Sequence, residues 1–132
     1  MFWIAVSGCA ALMPSPGEKP PEEMQTPRIE KPLSPEKQDD PRLIASLQLT
    51  EQGRILLENG KVDEAITVLE RALNIHPDNG RNYYYLSEAW LLKKDVLQAK
   101  EWNRLAEMYL SGDKYWLKKV LDQKAKIRKL FK

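Results

Sequence analysis

Sliding the sequence against itself by 34 residues brings Leu49 onto Tyr83, Leu56 onto Trp90, Ala65 onto Ala99 and Ala72 onto Ala106. A chain that repeats at such a period builds its core between copies of one small unit, and each unit is incomplete alone. Alanines seven apart share one helix face and let a neighbouring helix come close, while Tyr and Trp fill the space between. This periodicity starts only after Pro41. Eight of the nine prolines lie between Pro14 and Pro41, and the next is Pro77.

Past Pro41 the apolar spacing predicts five helices. The first, about 42–59, begins behind Asp40-Pro41, an N-cap followed by proline in the first turn, and stops at Asn59-Gly60. The second, about 62–75, ends before His76-Pro77. The third, about 80–93, follows Asp78-Asn79. Lys93-Lys94-Asp95 separates it from the fourth, about 96–110, and Ser111-Gly112-Asp113 turns the chain into the last, about 114–131. Gly53 permits close helix contact, Gly60 makes a turn and Pro77 forces a break.

The pattern Gly53, Leu56, Ala65, Leu69, Ala72 and Pro77 resembles the tetratricopeptide repeat, a helix–turn–helix unit of the same period. The second unit matches at Tyr83, Leu86, Trp90, Ala99 and Ala106. It departs at Ser87, where glycine is expected, at Asn103, where a large apolar residue is expected, and at Ser111, where proline is expected; Trp102 stands ready to fill the space beside Asn103. The resemblance implies an all-α fold: a short α-solenoid of two repeats, about 46–79 and 80–113, plus a capping helix at about 114–131. Together these form a helical domain over residues 42–132. A generic helical hairpin bundle is the alternative.

In the last helix Leu117 answers Tyr83, Val120 answers Leu86, and Lys124 replaces Trp90. With Leu121, Ile127 and Phe131 an apolar stripe is expected to run the length of the helix, opposite a basic face. Such a helix suits the cap that stacked arrays need for solubility. Two repeats and a cap are close to the minimum for independent folding, so a homodimer or docking on a partner repeat is compatible with the pattern.

Before the repeats lies PSPGEKPPEEMQTPRIEKPLSPEKQDDP. It has few apolar residues, and from Pro14 to Arg42 it has seven acids against five bases. Such a stretch buries too little surface to offset its ordering entropy, so residues 10–41 read as a disordered, polyproline-like linker. Fully extended, about 30 residues of this kind reach roughly 90 Å. The first nine residues end in Val6-Ser7-Gly8-Cys9, and Cys9 is the sole cysteine. This tetrapeptide resembles the bacterial lipobox, in which an aliphatic and two small residues precede a cysteine that is lipidated after cleavage. Ala10 then resembles the signal for outer-membrane delivery. The segment is too short to span a bilayer, which needs about 20 apolar residues, and it lacks the basic start of a complete secretory signal. That gap suggests an upstream start codon.

No constellation of side chains supports catalysis. His76, the single histidine, has no spacing to an orienting acid or a nucleophile and reads as a helix-end residue beside the dipole. No Cys/His cluster suits a metal, and no glycine-rich loop suits a phosphate, so neither cofactor nor metal is expected. What remains is binding. In proteins with this repeat the first helix of each pair faces a concave groove. The resemblance places Leu47, Thr50, Arg54, Arg81, Tyr84, Glu88, Tyr115 and Lys118 there. Relatives that grip a peptide carboxylate use lysine and asparagine on these helices. Thr50, Arg54, Tyr84 and Glu88 do not reproduce that clamp.

The net charge of +2 excludes a whole-protein nucleic-acid field, although residues 112–132 hold eight bases against two acids. Nothing resembles a base-reading module, and no nucleic-acid partner is expected. The expectation is an adaptor in the cell envelope: anchored by lipid on Cys9 in a bacterial outer membrane, facing the periplasm, and holding a protein or peptide partner. The alternatives are a soluble cytoplasmic scaffold or co-chaperone, and a nucleic-acid or anionic-lipid binder acting through the basic last helix.

Overall fold

The computed structural model describes residues 40–131. Cys9, the lipobox and residues 10–39 of the proline-rich stretch lie outside the described residues. Five helices make up the described part: α1 (Pro41–Glu58), α2 (Val62–Ile75), α3 (Gly80–Leu92), α4 (Val96–Leu110) and α5 (Lys114–Leu130). Each boundary falls within one residue of that expected from the caps. Asp40, Asp95 and Asp113 accept backbone N–H groups at the starts of α1, α4 and α5, satisfying donors that a helix N-terminus leaves open.

The turns inside the two pairs have the same construction. Gly60, at φ 75°, follows α1, and the Lys61 N–H reaches back to the Leu56 carbonyl at 2.9 Å. Lys94 occupies the corresponding place after α3 at φ 61°, and the Asp95 N–H reaches the Trp90 carbonyl at 3.0 Å. This is the left-handed closure that favours glycine.

α1 packs along α2, and α3 along α4; α2 adjoins α3 and α4 adjoins α5, while α1, α3 and α5 neighbour one another in turn. The result is a short, all-helical solenoid of two helix pairs capped by α5, with α1, α3 and α5 forming one layer. The core has two centres. Ile66, Leu69, Leu86 and Ala89 fill the first, with Trp90 packed against it. Tyr83, Ala106, Leu110, Trp116 and Val120 fill the second. Trp102 packs against both, which is the filling role expected of it beside Asn103.

Small and polar residues set the helix spacing. A Cβ on Gly53 would sit 2.5 Å from Leu69 Cδ2, so α1 and α2 approach at that point as only glycine allows. Where α3 has Ser87 instead, its buried hydroxyl donates to the Ala99 carbonyl at 2.7 Å. Asn103, in place of an apolar residue, is buried and donates to the Val120 carbonyl at 2.9 Å and to Gln123 Oε1 at 2.8 Å. Two of the departures from the repeat pattern, Ser87 and Asn103, are therefore polar ties between helices, whereas the exposed Ser111 donates to the Met108 carbonyl of its own helix. Asn79, at the start of α3, makes no side-chain cap; its amide instead donates to Ser46 Oγ and Thr50 Oγ1 at 2.9 and 3.0 Å.

The continuous apolar stripe expected on α5 is corrected. Trp116, Val120, Gln123 and Ile127 are buried, whereas Leu121 and Phe131 are 44% and 48% exposed. The side of α5 turned to α3 and α4 is set by Trp116 and by the Gln123 amide, which no apolar-spacing rule selects. Leu121 occupies the repeat position of Gly53 and Ser87, where a second helix presses closest.

Candidate functional site

Along the layer of α1, α3 and α5, Arg54, Leu57, Tyr84, Tyr85, Glu88 and Lys119 line a concavity of about 390 Å³. Tyr84 and Tyr85 in this lining pack on Trp116, which is buried behind them. Tyr84 meets Tyr85 and Trp116 edge-on, with ring centroids 5.2 and 5.6 Å apart, and Tyr85 meets Trp116 at 5.9 Å. Edge-to-face packing of this kind holds the rings in place beyond what burial alone does. Two cations flank the cluster: the Arg81 guanidinium lies 5.1 Å from the Trp116 ring, and Lys119 Nζ lies 4.7 Å from the same ring and 5.7 Å from Tyr84.

The polar groups are oriented from behind. Gln123 Nε2 donates to Glu88 Oε1 at 2.7 Å and to the Tyr84 carbonyl at 3.2 Å, tying α5 to α3 under the groove. On α1, Arg54 Nε donates to Glu51 Oε2 at 2.9 Å, and its Nη1 pairs with Glu58. The hydrogen bond from Arg54 holds the Glu51 carboxyl below the usual carboxylate range. Burial, with Glu88 nearby, pushes the Tyr84 phenol up to about 12, so it stays a neutral donor through the physiological range.

Of the eight residues placed in the groove by sequence, Arg54, Tyr84 and Glu88 come together in its lining, and Arg81 packs on the Trp116 ring, outside that lining. Leu47 is half-buried and lies outside the concavity. Tyr115 is 56% exposed and packs edge-on against Trp116 at 5.8 Å, outside the lining. Thr50 is corrected: it is buried, donates to the Ser46 carbonyl at 2.9 Å and accepts from Asn79. A buried hydroxyl satisfied on both sides is structural. Lys118 is also corrected. It pairs with Asp122 at 2.9 Å on the outer side of α5, and its neighbour Lys119 turns inward. The Gln123 bonds fix the rotation of α5 and so decide which lysine faces the groove.

Sequence reasoning missed Leu57, Tyr85 and Lys119. Tyr85 and Lys119 share one repeat position, 34 residues apart, directly after the position that the family pattern marks. A wider stripe on each first helix would have found both. Among the described residues no group of His, Cys, Asp and Glu could hold a metal, and no helix is long and apolar enough to cross a membrane. His76 caps the end of α2, with Nε2 3.3 Å from Asp40 Oδ2.

A family model described as "TPR repeat" matches residues 53–91, which run from Gly53 in α1 to the end of α3. No curated protein matches the chain. The paired helices, the Gly53–Leu69 approach and this match lead to one statement: residues 53–91 are similar to the tetratricopeptide repeat.

Proposed function

We propose that this protein is a non-enzymatic adaptor, anchored by lipid on Cys9 to a bacterial outer membrane, that holds a protein partner of the cell envelope in the groove of α1, α3 and α5. The tetratricopeptide repeat is a protein–protein interaction module. The observation that carries the reading is the aromatic lining of Tyr84 and Tyr85, packed on the buried Trp116, with Lys119 and Glu88 beside it. Aromatic rings offer large contact area at low entropic cost, and flanking opposite charges set the register of a bound segment. The Val6-Ser7-Gly8-Cys9 sequence supports the anchor, and the proline-rich stretch supports reach from the membrane.

Two measurements test the two halves separately. Affinity capture from an envelope extract with wild type and Tyr84→Ala is expected to give a partner that the variant loses; an unchanged partner set would remove the groove from the function. Membrane fractionation of wild type and Cys9→Ser is expected to release only the variant, and equal solubility of the two ends the lipoprotein reading.

A further inference from the structure

The seam between α4 and α5 departs from the seam between α2 and α3. In the first seam Ile66, Leu69 and Leu73 of α2 meet Trp90 of α3 in a hydrophobic cluster. One repeat later the same positions hold Lys100, Asn103 and Glu107 on α4, and Lys124 on α5. Lys124 Nζ pairs with Glu107 at 2.6 Å where an indole packs in the first seam. A groove of about 580 Å³ lies there, with Ile127 and Phe131 among its lining residues. Its volume follows from the exchange of a tryptophan and three aliphatic residues for polar and charged groups.

The charge on this groove is one-sided. Lys100, Arg104, Lys124 and Arg128 line it against the single acid Glu107, which Lys124 already neutralises. Arg104 leans on Glu101 at 3.3 Å with both side chains more than half exposed. Lys100 Nζ lies 5.3 Å from the Phe131 ring, and Arg128 has no ion pair among the described residues. The aliphatic stems of these cations add apolar wall while their heads stay at the rim.

From this we infer a second docking site, on the α4/α5 seam, for an acidic amphipathic peptide segment of a partner protein. One large apolar side chain enters beside Ile127 and Phe131, and carboxylates meet Arg104 and Arg128. The apolar part of the occupant is a side chain because the space is the one an indole fills in the preceding seam. The acidic part follows from charge complementarity, since guanidinium forks take carboxylates in two-pronged contacts. The site shares no lining residue with the groove of α1, α3 and α5. It gives the molecule two contact surfaces, and it stands independently of the function proposed above.

The test is fluorescence anisotropy with the full chain and three probes. The first is a labelled peptide with glutamate and leucine at helical spacing; the second is the same peptide with lysine for glutamate; the third is a vesicle of phosphatidylglycerol and phosphatidylcholine. The glutamate peptide is expected to bind and the lysine peptide not. The double reversal Arg104→Glu with Arg128→Glu is expected to weaken binding by about tenfold or more, and Phe131→Ser to weaken it by a smaller factor. All three substitutions are at exposed positions, and circular dichroism verifies that the helices persist. No binding of the glutamate peptide, equal binding of both peptides, or vesicle binding in place of peptide binding overturns the proposal. So does peptide binding that survives the double reversal, or that Tyr84→Ala abolishes.

Discussion

Asn103 and Gln123 meet across the α4/α5 seam in a buried hydrogen bond of 2.8 Å, and Gln123 passes the connection on to Glu88 at 2.7 Å. Three helices are thereby joined through two carboxamides, one of them Asn103, at a position where the repeat pattern asks for a large apolar residue. A buried donor or acceptor left without its partner costs about 1–3 kcal/mol. Asn103→Ala should therefore lower unfolding free energy by that amount in urea titrations. Gln123→Ala should in addition loosen Glu88, and a chemical shift change at the Tyr84 amide would report it.

Gly53 faces the fully buried Leu69, which has no room to withdraw. Gly53→Ala should destabilise by about 1–3 kcal/mol through overpacking. Chemical denaturation midpoints of the variant and wild type provide the measurement.

Lys94 holds a left-handed backbone at φ 61° in the turn where the first repeat uses Gly60. A side chain in that region costs on the order of 1 kcal/mol. Lys94→Gly should relieve most of that and raise the thermal midpoint. Gly60→Ala should do the reverse, although nothing lies within 4 Å of the added methyl.

Alkaline pH should unfold the protein through its phenols. Burial pushes Tyr83 and Tyr84 up to about 12 from the ordinary 10.0. Their folded values are raised, so the fold favours the neutral form. The associated stability is complete below pH 10 and is lost as pH climbs toward 12. Denaturant midpoints measured across that interval should fall, and Tyr84→Phe should show a shallower fall than wild type.

The helices were legible because their ends carry local chemistry: Asp40 and Pro41, Asn59 and Gly60, and Asp113 act on their own neighbours and need no tertiary information. The pairing of helices was legible from Ala65, Ala72, Ala99 and Ala106, all of which are fully buried. The groove was legible only in part. Thr50 and Tyr84 hold the same repeat position, yet Asn79 and Asn82 draw Thr50 into a polar cluster, whereas Tyr84 has ring partners on α5. Lys119 depends on how α5 is rotated, and that rests on hydrogen bonds between residues 20 and 35 positions apart. Periodicity reports which residues share a face. It carries no information on side chains that reach across to another helix.

Leu121 sets α5 apart from α1 and α3. Those helices carry Gly53 and Ser87 where α2 and α4 pack against them, whereas α5 presents an exposed leucine at the same place. Anyone lengthening the solenoid by grafting another unit would have to begin with Leu121→Gly or Leu121→Ser. A graft that leaves the leucine in place would have to lie along α5 at a different angle and curve the assembly away from the line of the first two pairs.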